Sequence, residues 1–422
     1  MVGAPGAEVQ LLRAAQQRRP GEYYTNSELS GILGLHPDPA QRIDAIGFKR
    51  AALALRPQNP LARSGLGQML IENGRLDEAI AQFREGIRLK PEDSGLHSDL
   101  GTALRYKGLT DEAIAECKEA IRLKPDNPFV RNNLGSALHA TGDMDGAVAE
   151  FREAIRIKSD YAQAHYNLGL TLGDKGDVDG AIAEYREAIR LEKNSPRSHC
   201  NLGQTLILYK GQFAEALTYL RRGHELGSKE PRWPFPSARW VKECERFVEL
   251  DGKLPRFLKG EVQPADVGER LTLARMCQLR CKWLNAAAAR FYAAAFAEQP
   301  QLADDLQIQH RHNAASAAAL AGCGKGNDAA NLAIEEYAFL RQQALIWLRA
   351  DLAAWRRILQ AEGDKARATV LQNLTHWQQD PDFAGVRGQD ALAKLPEDER
   401  LAWEKLWEEV AALKQAASTA MK

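Results

Sequence analysis

RLDEAIAQFREGIRLKP at residues 75–91 and LTDEAIAECKEAIRLKP at 109–125 are one pattern written twice, 34 residues apart. The interval recurs in MDGAVAEFREAIRIKS at 144–159 and VDGAIAEYREAIRLEK at 178–193. A fixed period of this length marks a stack of copied units, in which each unit buries its apolar face against the next and no single closed core exists.

Aligned on proline, the units are 60–93, 94–127, 128–161, 162–195 and 196–230, the last with one extra residue near Gly211. Counting from the first residue of each unit, position 7 is Leu66, Leu100, Leu134, Leu168 and Leu202, and position 8 is always Gly. Position 11 is always Leu, position 20 is Ala, and position 27 is Gly or Ala. Two runs of helical apolar spacing are separated by turns such as YKGLTD and ATGDMD, whose Gly can take the left-handed conformation that ends a helix. The small residues at positions 8 and 20 predict a close approach of helix A to helix B. This skeleton resembles the tetratricopeptide repeat, with the consensus Trp of position 4 replaced by Arg or His. The resemblance implies an all-α fold: a right-handed α-solenoid of helix-turn-helix pairs, with helix A lining a concave groove and helix B the convex surface.

The register extends backwards. Leu29, Ser30, Leu33, Ala45, Ala52 and Pro57 fall on positions 7, 8, 11, 20, 27 and 32 of an irregular unit over 23–59, with extra residues in the turn LHPDPAQ. Earlier still, Ala15 and Pro20 place residues 1–22 as a helix B without a helix A, the mark of a chain cut from or related to a longer one. The unpaired apolar side of Val9–Pro20 is a candidate self-association edge.

Lys plus Arg (56) equals Asp plus Glu (56), so the excess positive charge expected of a nucleic-acid or membrane-surface protein is absent. The six cysteines are scattered without a C-x-x-C pair and read as reduced, packed thiols. No export signal or membrane span is recognisable, which places the expected location in the cytoplasm.

After residue 230 the strict period ends, and WPFPSARW at 233–240 suggests a kinked connector over 231–263. Residues 264–346 read as two degenerate helix pairs and 347–422 as a helical tail. Leu345, Leu348, Leu352, Trp355 and Leu359 form one apolar stripe; Trp403, Leu406, Trp407, Val410 and Leu413 form another. The stretches CKWLNAAAARFYAAAF, HRHNAASAAALAGCGKG, ALIWLRADLAAW and HWQQDPDFAGVRGQDALAKLPEDERLAWEKLWEEV resemble the tail of large bacterial serine/threonine protein kinases of the eukaryotic type. The resemblance spans about 270–415 and implies a non-catalytic region carried behind a kinase domain.

The kinase machinery itself has no counterpart in the sequence: no Gly-rich nucleotide loop, no H-R-D and no D-F-G. GCGKG at 322–326 has Ala319 and Gly326 where a phosphate loop needs Gly and Ser or Thr, so it reads as a turn. DPDFAG at 380–385 reads as a loop. His97, His165 and His199 share position 4 but sit one repeat apart, too far to share an ion whose bonds are about 2 Å. His310 and His312, two apart on a helix, point to different sides, and Cys277 with Cys281 reads as a pair of core thiols. No catalytic, metal or cofactor site is expected.

Position 6 of helix A is Gly65, Asp99, Asn133, Asn167 and Asn201. Three asparagines at the repeat interval can bond the backbone of an extended peptide, since an amide both donates and accepts. The repeat arm of O-linked N-acetylglucosamine transferases resembles this arrangement. The neighbouring groove positions are mixed: Arg105 and Tyr106, Phe129 and Asn132, Tyr166, then Arg197 and Gln204. The chaperone-tail clamp is missing, because position 5 is Ser64, Ser98, Asn132, Tyr166 and Cys200. The sequence therefore reads as a non-catalytic scaffold that binds a protein segment. The alternatives are a detached regulatory arm of a serine/threonine kinase, with that kinase as partner, and a glycosyltransferase accessory arm.

Overall fold

The computed structural model describes residues 5–34, 38–230, 233–330 and 332–418, and the chain divides into two compact units at Ser198/His199. The first begins with α1 (Pro5–Arg18) and continues as five helix pairs. These are α2/α3 (Tyr23–Gly34, Pro39–Leu55), α4/α5 (Pro60–Glu72, Leu76–Leu89), α6/α7 (Ser94–Lys107, Thr110–Leu123), α8/α9 (Pro128–Thr141, Met144–Ile157) and α10/α11 (Ala162–Asp174, Val178–Leu191). Each pair packs internally and on the next, and successive helices A (α4, α6, α8, α10) also touch one another. The extra residues at 35–37 of the first pair lie outside the described residues.

The side chains of Asn59, Asp93 and Asn127 accept the first free amides of α4, α6 and α8, and Pro60 and Pro128 supply a first helical residue that has no N–H to orphan. The helices A end as the turn glycines predict: Gly74, Gly108, Gly142 and Gly176 have φ of 73–86°. The amide after each glycine returns to the position 11 carbonyl, from Arg75 to Leu70, Leu109 to Leu104, Asp143 to Leu138 and Asp177 to Leu172, at 2.8–3.0 Å.

Helix contact rests on position 8. A Cβ on Gly67 would stand 2.4 Å from the Phe83 ring, on Gly135 2.7 Å from Phe151, and on Gly169 2.9 Å from Tyr185. Ala79, Ala113, Ala147 and Ala181 are fully buried opposite them. Leu29, Ser30, Leu33, Ala45 and Ala52 are likewise buried, as the irregular register requires. Val9 and Leu12 of α1 pack on the Leu29–Leu33–Ala45 cluster, and Arg13 pairs with Asp44 at 2.8 Å. Among the large apolar side chains of α1, Leu11 stays exposed.

The division falls within α12 (Pro196–Thr205), and the second unit continues with a π-turn over Leu206–Lys210 and with α13 (Phe213–Gly227). The wide π-turn absorbs the extra residue of the fifth repeat. The expected connector is mostly helix, α14 (Ser237–Asp251) and α15 (Leu254–Leu258), because Phe247 and Cys244 dock on α13: the Phe213 and Phe247 rings are 5.4 Å apart and Cys244 Sγ donates to the Phe213 carbonyl. The two degenerate pairs are α16/α17 (Val267–Gln278, Asn285–Glu298) and α18/α19 (His310–Gly322, Ile334–Glu362). The boundary drawn at 346 cuts α19, whose stripe of Leu345, Leu348, Leu352 and Trp355 is buried on both sides of that point. The tail is α20 (Asp364–Gln379), a 3-10 turn at Pro381–Val386 in place of the expected loop, α21 (Gln389–Leu392) and α22 (Glu397–Ser418). Phe383 is fully buried in that turn, and Trp403, Leu406, Val410 and Leu413 of α22 are buried too. No strand occurs among the described residues, and no described helix is long and apolar enough to cross a membrane.

Candidate functional site

Positions 2, 6, 9 and 13 of a helix A fall within about 60° of one another around a helix that turns 100° per residue. They define one stripe per repeat, and the structure shows what each position does. Position 6 reaches back to the preceding helix A. Asp99 accepts from Ser64 Oγ at 2.7 Å and from Gln68 Nε2 at 3.2 Å. Asn133 donates to Thr102 Oγ1 at 2.9 Å, and Asn167 donates to Asn132 Oδ1 at 2.9 Å. Burial pushes the Asp99 carboxyl up from the ordinary range, against the hydrogen bonds from Ser64 and Gln68.

Asp99, Asn133 and Asn167 are thus rungs between helices. The amide donors of Asn133 and Asn167 are engaged by the neighbouring repeat; Asn167 Oδ1 accepts from Gln163, and Asn133 Oδ1 has no hydrogen-bond partner among the described residues. Asn132 is buried and serves as an acceptor in the same ladder. Asn201 is half-buried and belongs to the second unit, so the ladder within the first unit runs from Asp99 to Asn167. Tyr166 lies 6.0 Å from the Tyr185 ring, and Arg197 is exposed.

Three large apolar side chains stand exposed at the ends of the stripe. Leu61 and Phe129, at position 2, are 80% and 51% exposed, and Tyr106, at position 13, is 55% exposed. Arg105 lies over the Tyr106 ring at 4.5 Å, and Phe129 meets Tyr161 edge-on at 5.1 Å, so two of these side chains are held in place by neighbours. The opposite surface differs: no large apolar side chain of α5, α7, α9 or α11 is exposed, and ion pairs such as Arg84–Glu112 and Arg122–Glu119 cover it.

Position 4, where the sequence allowed a metal reading, is a clasp from helix A to helix B. Arg63 donates to Gln82 and to the Pro57 carbonyl, His97 bonds Glu116 at 2.6 Å and the Pro91 carbonyl, Arg131 pairs with Glu150 at 2.9 Å, and His165 bonds Glu184 at 2.6 Å and the Ser159 carbonyl. The acid or amide always stands 19 residues after position 4. That recurrence is visible in the sequence and signals the clasp. For His165, burial disfavours the cation, but the Glu184 hydrogen bond, the Ser159 carbonyl and the Glu184 charge together outweigh it and hold the pKa above the ordinary value. A raised folded-state pKa stabilises most below the unfolded value of about 6.5, and that contribution disappears as pH rises through the folded pKa. The gap in melting temperature between wild type and His165→Gln is therefore expected to be wider at pH 5.5 than at pH 8.5. Equal gaps would show that the charged form adds nothing.

The remaining candidates also have places. Cys277 is fully buried with its thiol pushed up to about 12 by burial, and Cys281 Sγ donates to the Ile207 carbonyl. GCGKG is a turn whose Gly322 and Lys325 carbonyls accept from Arg341 and Asn285. One juxtaposition was not foreseen: His312 of α18 meets His376 and Asp380 at the end of α20. The pair His376-x3-Asp380 is legible as two residues on one helical face, whereas its meeting with His312 depends on tertiary packing.

Residues 101–142, 135–176 and 172–208 match one family model described as a TPR repeat, and residues 48–94 match another described as a tetratricopeptide repeat. The matched segments are tetratricopeptide repeats. No curated protein matches the chain. Among solved structures, MamA is 26% identical over 39% of this chain and 95% of its own, with a TM-score of 0.35. YrrB, described as a TPR protein with an unusual peptide-binding site, is 21% identical over 45% of this chain and 96% of its own, with a TM-score of 0.35. TTC0263, a thermophilic TPR protein of Thermus thermophilus, is 22% identical over 43% and 98%, with a TM-score of 0.39.

Proposed function

We propose that the chain is a non-catalytic scaffold whose helix A stripe in the first unit binds an extended segment of another protein. The observation that carries this reading is the contrast between the two surfaces of the regular repeats. Exposed Leu61, Tyr106 and Phe129 stand on the helix A stripe, while helices B α5, α7, α9 and α11 expose no large apolar side chain and carry ion pairs such as Arg84–Glu112. Apolar anchors spaced along a polar ladder suit a peptide that inserts side chains and meets a few backbone-bonding groups between them. Arg105 and the half-buried carboxamide of Asn133 serve as the polar contacts. In this reading Asn133 and Asn167 act mainly by holding successive helices A in register.

Selection of peptides from a random library on the full chain tests the proposal. Selected peptides are expected to lose binding to the variant Leu61→Ser, Tyr106→Ser, Phe129→Ser. The resemblance of residues 270–415 to kinase tails favours a second reading, a recruiting arm that works with a serine/threonine kinase located in the cytoplasm. A kinase reading frame adjoining this one would support it.

A further inference from the structure

The geometry points to a divalent transition-metal site formed by His312, His376 and Asp380, which would clip the start of α18 to the end of α20. One ligand atom from each residue lies within 4.8 Å of the other two. Asp380 presents its carboxylate in a divided way. Its Oδ1 accepts the Asp382 backbone amide at 2.9 Å, and its Oδ2 faces both imidazoles, 3.4 Å from His312 Nε2 and 3.8 Å from His376 Nε2. These separations are longer than the roughly 2.7–2.9 Å of a charge-assisted hydrogen bond. The first falls within the roughly 3.3–3.5 Å that separates two ligands on a tetrahedral ion with bonds of about 2.0–2.1 Å, and the second, to the exposed His376, is a few tenths of an ångström longer. One oxygen standing between two imidazole nitrogens at such distances leaves room for an ion and satisfies neither nitrogen well without one.

The ligands are also oriented. His312 is 6% exposed, stacked on Trp377 at 5.6 Å and set edge-on to Phe383 at 5.5 Å, and its Nδ1 has no hydrogen-bond partner among the described residues. Packing, and no competing bond, turns its Nε2 toward Asp380. His376 and Asp380 are four residues apart, so the last turn of α20 offers both from one face. The His376 side chain is 61% exposed and gives an ion access from solvent, with a coordination position left for water. Two imidazoles and one carboxylate suit zinc or a similar borderline ion; calcium and magnesium prefer oxygen alone.

The test uses the full chain without a purification tag, stripped of metal and titrated with Zn²⁺ by calorimetry, and with Co²⁺ followed by visible absorption. Wild type is expected to bind one Zn²⁺ per chain, to melt higher with the ion, and to give the intense absorption of four-coordinate Co²⁺. His376→Ala removes an exposed ligand without disturbing the core and is expected to weaken binding at least tenfold and abolish the thermal gain. Asp380→Asn is expected to do the same. Absence of binding by wild type, or equal binding by wild type and His376→Ala, would overturn the site.

Discussion

Asp351→Ala is expected to destabilise the second unit by about 3–5 kcal/mol, the usual cost of breaking a buried ion pair by removing one partner. Asp351 and Arg311 have side-chain exposures of 3% and 9% and meet at 2.5 Å, Nε to Oδ1. Arg311 Nη2 is buried without a hydrogen-bond partner among the described residues. The second carboxylate on Arg311, from Asp304, is itself 69% exposed and cannot replace the interior partner. Removing Asp351 therefore strands a guanidinium between α18 and α19. The pair as a whole contributes far less than its breakage costs, because two charges were desolvated to form it. Accordingly, Arg311→Leu with Asp351→Leu is expected to recover most of the loss. Urea unfolding of the two variants measures both effects; a double variant as unstable as Asp351→Ala would mean that the pair is needed for shape as well as charge balance.

The second large effect lies at the helix A/helix B contact of the third regular repeat. Phe151→Ala is expected to cost about 3–5 kcal/mol through lost burial and the cavity left behind. Gly135→Ala is expected to cost about 1–3 kcal/mol, since its new Cβ meets the Phe151 ring at 2.7 Å. The two are coupled. With Phe151 already removed, the added methyl enters free space, so the double variant should be more stable than the sum of the single effects by at least about 0.5 kcal/mol. Because each repeat touches its neighbours, hydrogen exchange should rise in α8 and α9 first and then in the adjoining pairs. Strict additivity would mean that the close approach at position 8 does not set the packing.

Much of this fold was legible because its rules are local and repeated. The turn glycines, the Leu at position 11 and the Ala at position 20 each carry a constraint that recurs every 34 residues, and Gly74, Gly108, Gly142 and Gly176 take the conformation their turns require. Where the period fails, so did the boundaries. The prolines of WPFPSARW predict a kinked connector, and most of that stretch is helix because the apolar side of α14 packs on α13. The position 346 boundary missed because α19 is one uninterrupted helix of 29 residues whose stripe crosses it.

Position 6 reads in the sequence as a row of polar side chains from Asp99 to Asn201, but which partner each one chooses depends on the spacing of successive helices A. That spacing brings Ser64, Thr102 and Asn132 within reach and engages the amides internally. The exposure of Leu61, Tyr106 and Phe129 depends likewise on stacking, since position 2 has no fixed chemistry across the units: Leu61, Gly95, Phe129, Gln163 and Arg197. His312 and His376 stand 64 residues apart, beyond any pattern a helical period can report.

The most direct measurement of the central claim is the affinity of one library-selected peptide for wild type, for the Leu61→Ser, Tyr106→Ser, Phe129→Ser variant, and for a helix B control carrying Arg84→Ser and Glu112→Ser. All three proteins are first matched for helicity by circular dichroism. A helix A stripe that binds the peptide predicts at least a tenfold loss for the triple variant, about 1.4 kcal/mol, with the control within about twofold of wild type because exposed ion pairs contribute little. Unchanged affinity in the triple variant, or a matching loss in the control, would contradict it.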